Sequence, residues 1–415
     1  MSAVYRNILV VGVFLSVALA GVALSLSAPY IQSDDEIVYL TGALQEKERN
    51  LPDAYMLQAY AYGPYLYPYI LSEWYELLGH ETFKTISVVV LVLLTGLGAY
   101  ALFRTLGLPW VAALLFSVIV LMPRLSAGTE FFGILTFNEA IGRSFALPLF
   151  FFGSLFVIKR MMDKSPLWPV FGVFGLLMFL HPVTIMLFSA VCLIGVLGTR
   201  LIEKEPVVAS LREAIVSGVV FVAAGSYFFV EVISRLLRSV GAETVSASAY
   251  VDAVLFRNAW EFPLETLSWY RHMGIVSLAF LIFLLAFFVL PQLRAIRARY
   301  VLSHARLIYI WGGVVAVASL LIALILPGLN LYFMEHMNVS YMFQQWSRIS
   351  KFYYLGLFVA LVPAVYVLWR WFEEKKTIGR RLVCAGLVLI GIGSSSVAFE
   401  MAQFAVGYKN FQSAY

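Results

Sequence analysis

Long uninterrupted apolar runs limit this chain to very few folds. About eleven such runs recur along the sequence, and several reach the roughly 17–25 residues that an α-helix needs to cross a bilayer. Hydrophobic residues make up 61% of the chain and charged residues 13%, against about 45–50% and about 25% in a typical soluble domain. One aqueous core cannot hide so much apolar surface. The sequence therefore predicts an all-α, polytopic transmembrane helical bundle whose partner is the lipid bilayer.

We predict one membrane domain, 1–415, with about eleven spans. They lie near 7–27, 83–103, 107–122, 144–158, 166–180, 183–199, 213–230, 273–290, 307–326, 352–369 and 382–399. The first run is longer than the roughly 7–15 apolar residues of a cleaved signal peptide, and no clear A-x-A site follows it. We therefore expect it to be a retained span. Only His181-Pro182 separates the fifth and sixth runs.

The distribution of charge predicts the orientation of these spans. With the N-terminus in the cytoplasm, the inner connections carry 17 of the 29 lysines and arginines but only six of the 24 acids. This is the positive-inside pattern, and it places the C-terminus outside. Orientation thus explains the pI near 9.0 without a nucleic-acid partner. The longer polar segments, 28–82, 123–143, 231–272 and 327–351, then all lie on the outer side.

An acidic cluster, Asp34-Asp35-Glu36, follows the first span directly. Adjacent carboxylates at a membrane surface raise one another's pKa unless a cation or hydrogen-bond donors compensate. Two interpretations stay open. The acids can simply begin a helix, with Ser33 as its N-cap and the acids favourable to its dipole. Alternatively, they provide a catalytic base or a ligand for a divalent cation at the bilayer edge.

Tyrosines crowd the same outer loop, with five between positions 60 and 69. They are typical of an interfacial aromatic belt, or they form an aromatic wall for a sugar or a lipid headgroup, with Tyr62 and Tyr65 on either side of Gly63-Pro64. That dipeptide predicts a turn. We expect interfacial helices on both sides of it, at 39–49 and 66–78.

Candidate site residues further along the chain each have a structural and a functional interpretation. Glu139 and Arg143 stand four residues apart and can form an ion pair that caps a helix, or contact a metal and a phosphate. His181 can cap a chain reversal, although an ionisable group within the membrane is a functional hypothesis by default. Arg271 lies in the third outer segment.

Arg348 and Lys351 form a basic pair three residues apart, just before a span. Basic residues on the outer side run against the positive-inside pattern, so they need an anionic partner. That partner is either the surrounding lipid headgroups or a bound polyprenyl phosphate or pyrophosphate, because ammonium and guanidinium groups pair well with phosphate oxygens.

These features together resemble the GT-C superfamily of integral-membrane glycosyltransferases. The resemblance rests on Asp34-Asp35-Glu36 at the end of the first span, the stretch Tyr62-Gly63-Pro64-Tyr65-Leu66-Tyr67, and long loops on the outer side alone. It implies transfer of a sugar from a polyprenyl-phosphate donor to an acceptor hydroxyl at the extracytoplasmic face of the plasma membrane.

The resemblance also implies roles for individual residues. Asp34 or Asp35 would act as the general base, and Arg348, Lys351, Arg143 or Arg271 would stabilise the departing lipid phosphate. Glu36, Tyr62, Tyr65, Glu139 and His181 would contact the substrates. A divalent cation, Mg²⁺ or Mn²⁺, would bind Asp35 and Glu139 if one is used. The second outer loop departs from the family pattern here, because it has no D-x-D or E-x-D motif and only Glu130 and Glu139 as acids.

Three other functions fit the same spans. A polysaccharide polymerase or ligase also uses lipid-linked sugars, but usually has its larger loop late in the chain. A transporter or flippase predicts interrupted spans in corresponding positions of two halves. A non-catalytic subunit of a membrane assembly needs only the spans and the aromatic belts.

Overall fold

The computed structural model describes residues 2–27, 73–74, 76–122, 124–125, 131–132, 142–230, 291–337, 349 and 351–374. These parts of the chain are almost entirely helical. The helices are α1 Ala3–Ser27, α2 His80–Thr105, α3 Trp110–Leu121, α4 Gly142–Met162, α5 Trp168–Leu176, α6 Pro182–Ile202, α7 Val207–Ala224, α8 Pro291–Arg299, α9 Ala305–Met337 and α10 Lys351–Glu374. Two two-residue strands, β1 Arg124–Leu125 and β2 Phe131–Phe132, pair antiparallel. The all-α prediction is thereby confirmed.

Seven of the described helices are long and apolar enough to cross a membrane, namely α1, α2, α4, α6, α7, α9 and α10. Each coincides with a predicted span. The predicted spans at 107–122 and 166–180 correspond to shorter apolar helices, Trp110–Leu121 and Trp168–Phe179. The spans predicted at 273–290 and 382–399 lie outside the described residues.

The helical structure is interrupted at His181-Pro182, the dipeptide that separates the fifth and sixth apolar runs. Helix α5 tightens into a 3₁₀ turn at Leu177–Phe179, and α6 starts at Pro182. Proline suits the first position of a helix, where its missing N–H is not needed. The interruption expected at His181-Pro182 is therefore confirmed.

Helix α9 continues eleven residues beyond its predicted end at 326. It runs through Pro327-Gly328 to Met337, so the outer segment predicted at 327–351 is helical over its first eleven residues. Apolar residues continue after the Pro-Gly pair, at Leu329, Leu331 and Phe333. This continued apolar character accounts for a longer helix than the Pro-Gly signal predicts.

Two glycines let α9 and α10 pack backbone to backbone. A Cβ atom built on Gly356 would lie 2.6 Å from the carbonyl oxygen of Gly312, and one built on Gly312 would lie 2.6 Å from the carbonyl oxygen of Gly356. Ala316 and Ala360, each four residues further on, complete the contact. Small residues at this spacing permit close approach of membrane helices. Helices α9 and α10 therefore form the central pair of the described bundle.

Helix α6 packs against the other side of α9. Cβ atoms on Gly195 and Gly198 would lie 2.7 Å from the side chains of Val315 and Val314. Phe188 of α6 also contacts Phe352 of α10, with ring centroids 5.5 Å apart. The three helices α6, α9 and α10 thus contact one another pairwise.

Glu213 joins the ends of three helices on the side opposite His181. Its carboxylate accepts a hydrogen bond from the Leu167 backbone N–H at 2.8 Å and forms an ion pair with Arg200. The connections at 163–167 and 203–206 therefore lie at the same end of the bundle. The predicted alternation of spans requires this arrangement.

Replacing Glu213 with alanine is expected to destabilise the protein by about 2 kcal/mol, because a charge-assisted hydrogen bond to a half-buried group is lost. Thermal unfolding in detergent measures the effect. The control is Glu205→Ala, whose carboxylate lies 3.5 Å from the same arginine and is 43% exposed. Such an exposed pair contributes at most about 1 kcal/mol. Equal losses in the two variants would contradict the prediction.

Candidate functional site

Most of the predicted site residues lie outside the part of the chain that the structure describes. They are Asp34, Asp35, Glu36, Tyr62, Tyr65, Glu139, Arg271 and Arg348. Arg143 lies in the first turn of α4, but only its backbone is described. In the first outer loop, residues 73–74 and 76–78 are helical, within the second expected interfacial helix. His181 and Lys351 are fully described, and the structure brings them together.

Lys351 is the first residue of α10 and is buried, with 4% of its surface exposed. Its Nζ donates a hydrogen bond to Thr184 Oγ1 at 3.1 Å. The same Nζ lies 5.7 Å from the ring centroids of Phe150 and Phe352, within the range of a cation–π contact. The side chain of Lys351 therefore points into the bundle.

His181 caps α6, as its structural interpretation expected. Its Nδ1 accepts a hydrogen bond from the Thr184 backbone N–H at 3.2 Å, which satisfies one of the unpaired donors of the first helical turn. A nitrogen that accepts carries no proton, so the neutral imidazole has its proton on Nε2. The ring is 8% exposed.

Thr184 connects the two predicted residues. Its backbone donates to His181 while its hydroxyl accepts from Lys351. Thr184 therefore contacts the imidazole through its backbone and the ammonium through its side chain, and the two bonds link α6 to α10. All three residues are buried. We call them the His181–Thr184–Lys351 cluster.

Three phenylalanines form one wall of this cluster. The ring centroids of Phe150 and Phe352 are 4.8 Å apart and those of Phe150 and Phe188 are 5.0 Å apart. Their edge-to-face and tilted arrangements are favourable for aromatic pairs. These rings lower the local dielectric, and electrostatic attraction between Lys351 and any anion that reaches it is correspondingly stronger.

Sequence reasoning did not single out Thr184 or Phe150. The position of Thr184, three residues after His181, is a signal for a capping contact. Its contact with Lys351 spans 167 positions in the sequence, and no local pattern reports such a pair.

The cluster supplies a buried cation, an imidazole and a hydroxyl, a set suited to binding an anion and moving a proton. It does not supply a metal site: the described residues contain no group of three or more His, Cys, Asp or Glu side chains placed to hold an ion. Asp35 and Glu139, the metal ligands that the sequence suggests, lie outside those residues.

No protein-family model, curated protein or solved structure matches this chain. Its class therefore rests on the helices themselves. Their length and apolar composition indicate a polytopic α-helical membrane protein.

Proposed function

We propose that this protein is a membrane glycosyltransferase that moves a sugar from a polyprenyl-phosphate donor to an acceptor hydroxyl. The observation that carries the proposal is the buried ammonium of Lys351 beside His181. An ionised group inside a membrane domain is costly and usually marks a functional site. A phosphate group on a lipid carrier is an anion that enters such a site from the bilayer.

The geometry supports a specific role for the cluster. Lys351 would bind the donor phosphate, because an ammonium group forms short charge-assisted hydrogen bonds with phosphate oxygens. The Nε2–H of His181 would donate to the same group as it leaves. Negative charge grows on the phosphate as the glycosidic bond breaks, and both donors act where that charge develops.

The base in this mechanism comes from the acidic cluster after the first span. Asp34 or Asp35 would accept the proton of the acceptor hydroxyl, and the hydroxyl oxygen would attack the anomeric carbon. The bond from that carbon to the phosphate oxygen breaks, and polyprenyl phosphate leaves in one displacement with inversion. Adjacent residues of a helix diverge by about 100°, so the three acids would not all face one site, and we favour Asp35 over Glu36.

The proposed site lies at the extracytoplasmic face of the plasma membrane. The positive-inside distribution of the whole chain supports this orientation, with the N-terminus in the cytoplasm and the C-terminus outside after eleven spans. A divalent cation held by Asp35 and Glu139 would assist the leaving phosphate. Transfer measured with EDTA and then with added Mg²⁺ or Mn²⁺ tests that assistance.

Mass spectrometry of lipids that stay with the purified protein tests the donor class. Polyprenyl phosphate, or its glycosylated form, should be enriched over the amount retained by an unrelated polytopic protein from the same membrane. No enrichment in either a mild detergent or nanodiscs would contradict the proposal and favour a transporter or a structural subunit.

Asp35→Asn is expected to reduce transfer of the donor sugar by about 10²–10⁴-fold, because a general base contributes about that much. Radiolabelled or fluorescent sugar transfer measures the loss, and Asp34→Asn is the matched neighbour. Bound polyprenyl phosphate should be unchanged, which separates catalysis from donor binding. Full transfer by both variants would refute an aspartate base.

A further inference from the structure

A groove opens between α8, the start of α9 and the middle of α10, roughly two to four helical turns from Lys351. Its volume is about 240 Å³, and its lining is almost entirely apolar. Leu302, Ala305, Pro363, Ala364 and Val367 form the walls. Because pockets that enclose a drug-sized ligand measure about 300–1,000 Å³, this groove has room for one segment of an acyl chain rather than a whole lipid.

Two arginines and two tyrosines border the same groove. Arg297 lies in α8 and Tyr300 directly follows that helix, while Arg306 and Tyr309 belong to α9. Arg306 is exposed and Arg297 is half-buried. Arginines that line an apolar groove bring positive charge close to it, which attracts a charged headgroup attached to a hydrocarbon chain.

Helix α8 has a composition typical of helices that lie along a membrane surface. Its Ile296, together with Tyr300, packs against Ala364 and Val367 of α10, while Arg294 and Arg299 are exposed. A short helix with one apolar contact face and several arginines is typical of an interfacial helix. The ion pair between Arg299 and Glu374, 2.8 Å long, fastens it to the end of α10.

The charge around the groove is positive after these ion pairs are counted. Residues 291–306 and 366–374 contain five arginines against two glutamates. The glutamates, Glu373 and Glu374, pair with Arg370 and Arg299. Basic residues at this level attract anionic lipids with about a fivefold gain in affinity for each arginine.

We propose that this groove binds one anionic phospholipid, with an acyl segment between α9 and α10 and its phosphate against Arg297 and Arg306. The occupant is a lipid because the groove joins an apolar slot to a cationic rim at the end of membrane-spanning helices. Under the predicted orientation it belongs to the cytoplasmic leaflet. The site does not depend on the proposed transfer reaction, which uses Lys351 at the start of α10.

Native mass spectrometry of the full-length protein tests the site directly. The protein is titrated with phosphatidylglycerol and, separately, with phosphatidylcholine of the same acyl chains. The wild-type protein should retain one phosphatidylglycerol preferentially. The double substitution Arg297→Gln and Arg306→Gln should weaken that binding about 25-fold, from two arginines at about fivefold each.

Two further variants separate this site from general surface charge and from misfolding. Arg294→Gln removes an exposed arginine of the same helix outside the groove, and should leave the single tight lipid in place. Ala305→Leu fills the groove without changing its charge, so this variant should lose the tightly bound lipid. Val317→Leu changes an exposed position of α9 outside the groove and should keep that lipid.

Three outcomes would overturn the proposal. Equal losses in Arg294→Gln and in the double variant would show attraction to surface charge alone. Equal retention of phosphatidylcholine would show an apolar slot without headgroup recognition. Unchanged phosphatidylglycerol binding in Ala305→Leu would place the lipid elsewhere.

Discussion

Under the proposed function, Lys351→Met is expected to lower the rate of sugar transfer by about 10²–10³-fold, the loss seen when one donor to a developing anion is removed. Methionine has a similar unbranched length, so the space between Phe150 and Phe352 stays filled. The hydrogen bond to Thr184 and the positive charge are lost together. The effect should fall on the donor: its KM should rise as kcat falls, while the acceptor KM stays close to wild type.

The measurement combines transfer kinetics with the amount of polyprenyl phosphate that co-purifies. Lys159→Met serves as the matched control, because Lys159 is exposed in the last turn of α4. Lys351→Arg keeps the charge and should recover part of the activity. If the Lys351→Met protein folds, transfers sugar at the wild-type rate and retains as much lipid as wild type, then the cluster has no part in the proposed mechanism.

Gly312→Ala is expected to lower the midpoint of thermal unfolding by roughly 2–4 °C, corresponding to about 2–3 kcal/mol of overpacking. The added methyl would lie 2.6 Å from the Gly356 carbonyl oxygen and 2.9 Å from the Ala360 Cα atom. Both are backbone atoms, so no side chain can rotate away. Helices α9 and α10 must separate instead.

Gly313→Ala provides a closely matched control. The two glycines are adjacent in α9, and a Cβ atom on Gly313 meets nothing within 4 Å. Alanine is favoured over glycine in a helix by about 1 kcal/mol, so this variant should be as stable as wild type or more so. Gly356→Ala should resemble Gly312→Ala. Equal midpoints for the Gly312 and Gly313 variants would contradict close packing at this seam.

Hydropathy predicted the spans well because lipid imposes a length and a composition on each of them. Helix α2 and the span predicted at 83–103 agree to within three residues at each end. The start of α6 was also predictable, since Pro182 is suited to begin a helix and His181 to precede it. These properties belong to short stretches of sequence.

The position of Lys351 could not be predicted in the same way. Its neighbours in sequence, Ser350 and Phe352, fit a span entering from an aqueous surface, and a lysine there would normally reach for headgroups. The groups that hold it, Thr184 and Phe150, come from other helices far away in the chain. The two glycines of the α9–α10 seam are likewise ordinary in sequence, and their contact arises only from the crossing of the helices.

The pairwise contacts among α6, α9 and α10 have a consequence for the timing of substrate recognition. Two of these contacts involve close packing at glycines, and the third contains the Lys351–Thr184 hydrogen bond. Because the three helices contact one another pairwise, folding itself fixes the distance between the His181 imidazole and the Lys351 ammonium group, before any substrate arrives. Substrate binding then need not include the entropy loss of bringing the two groups together, and the loss falls on the incoming molecule and on whatever part of the chain moves to admit it.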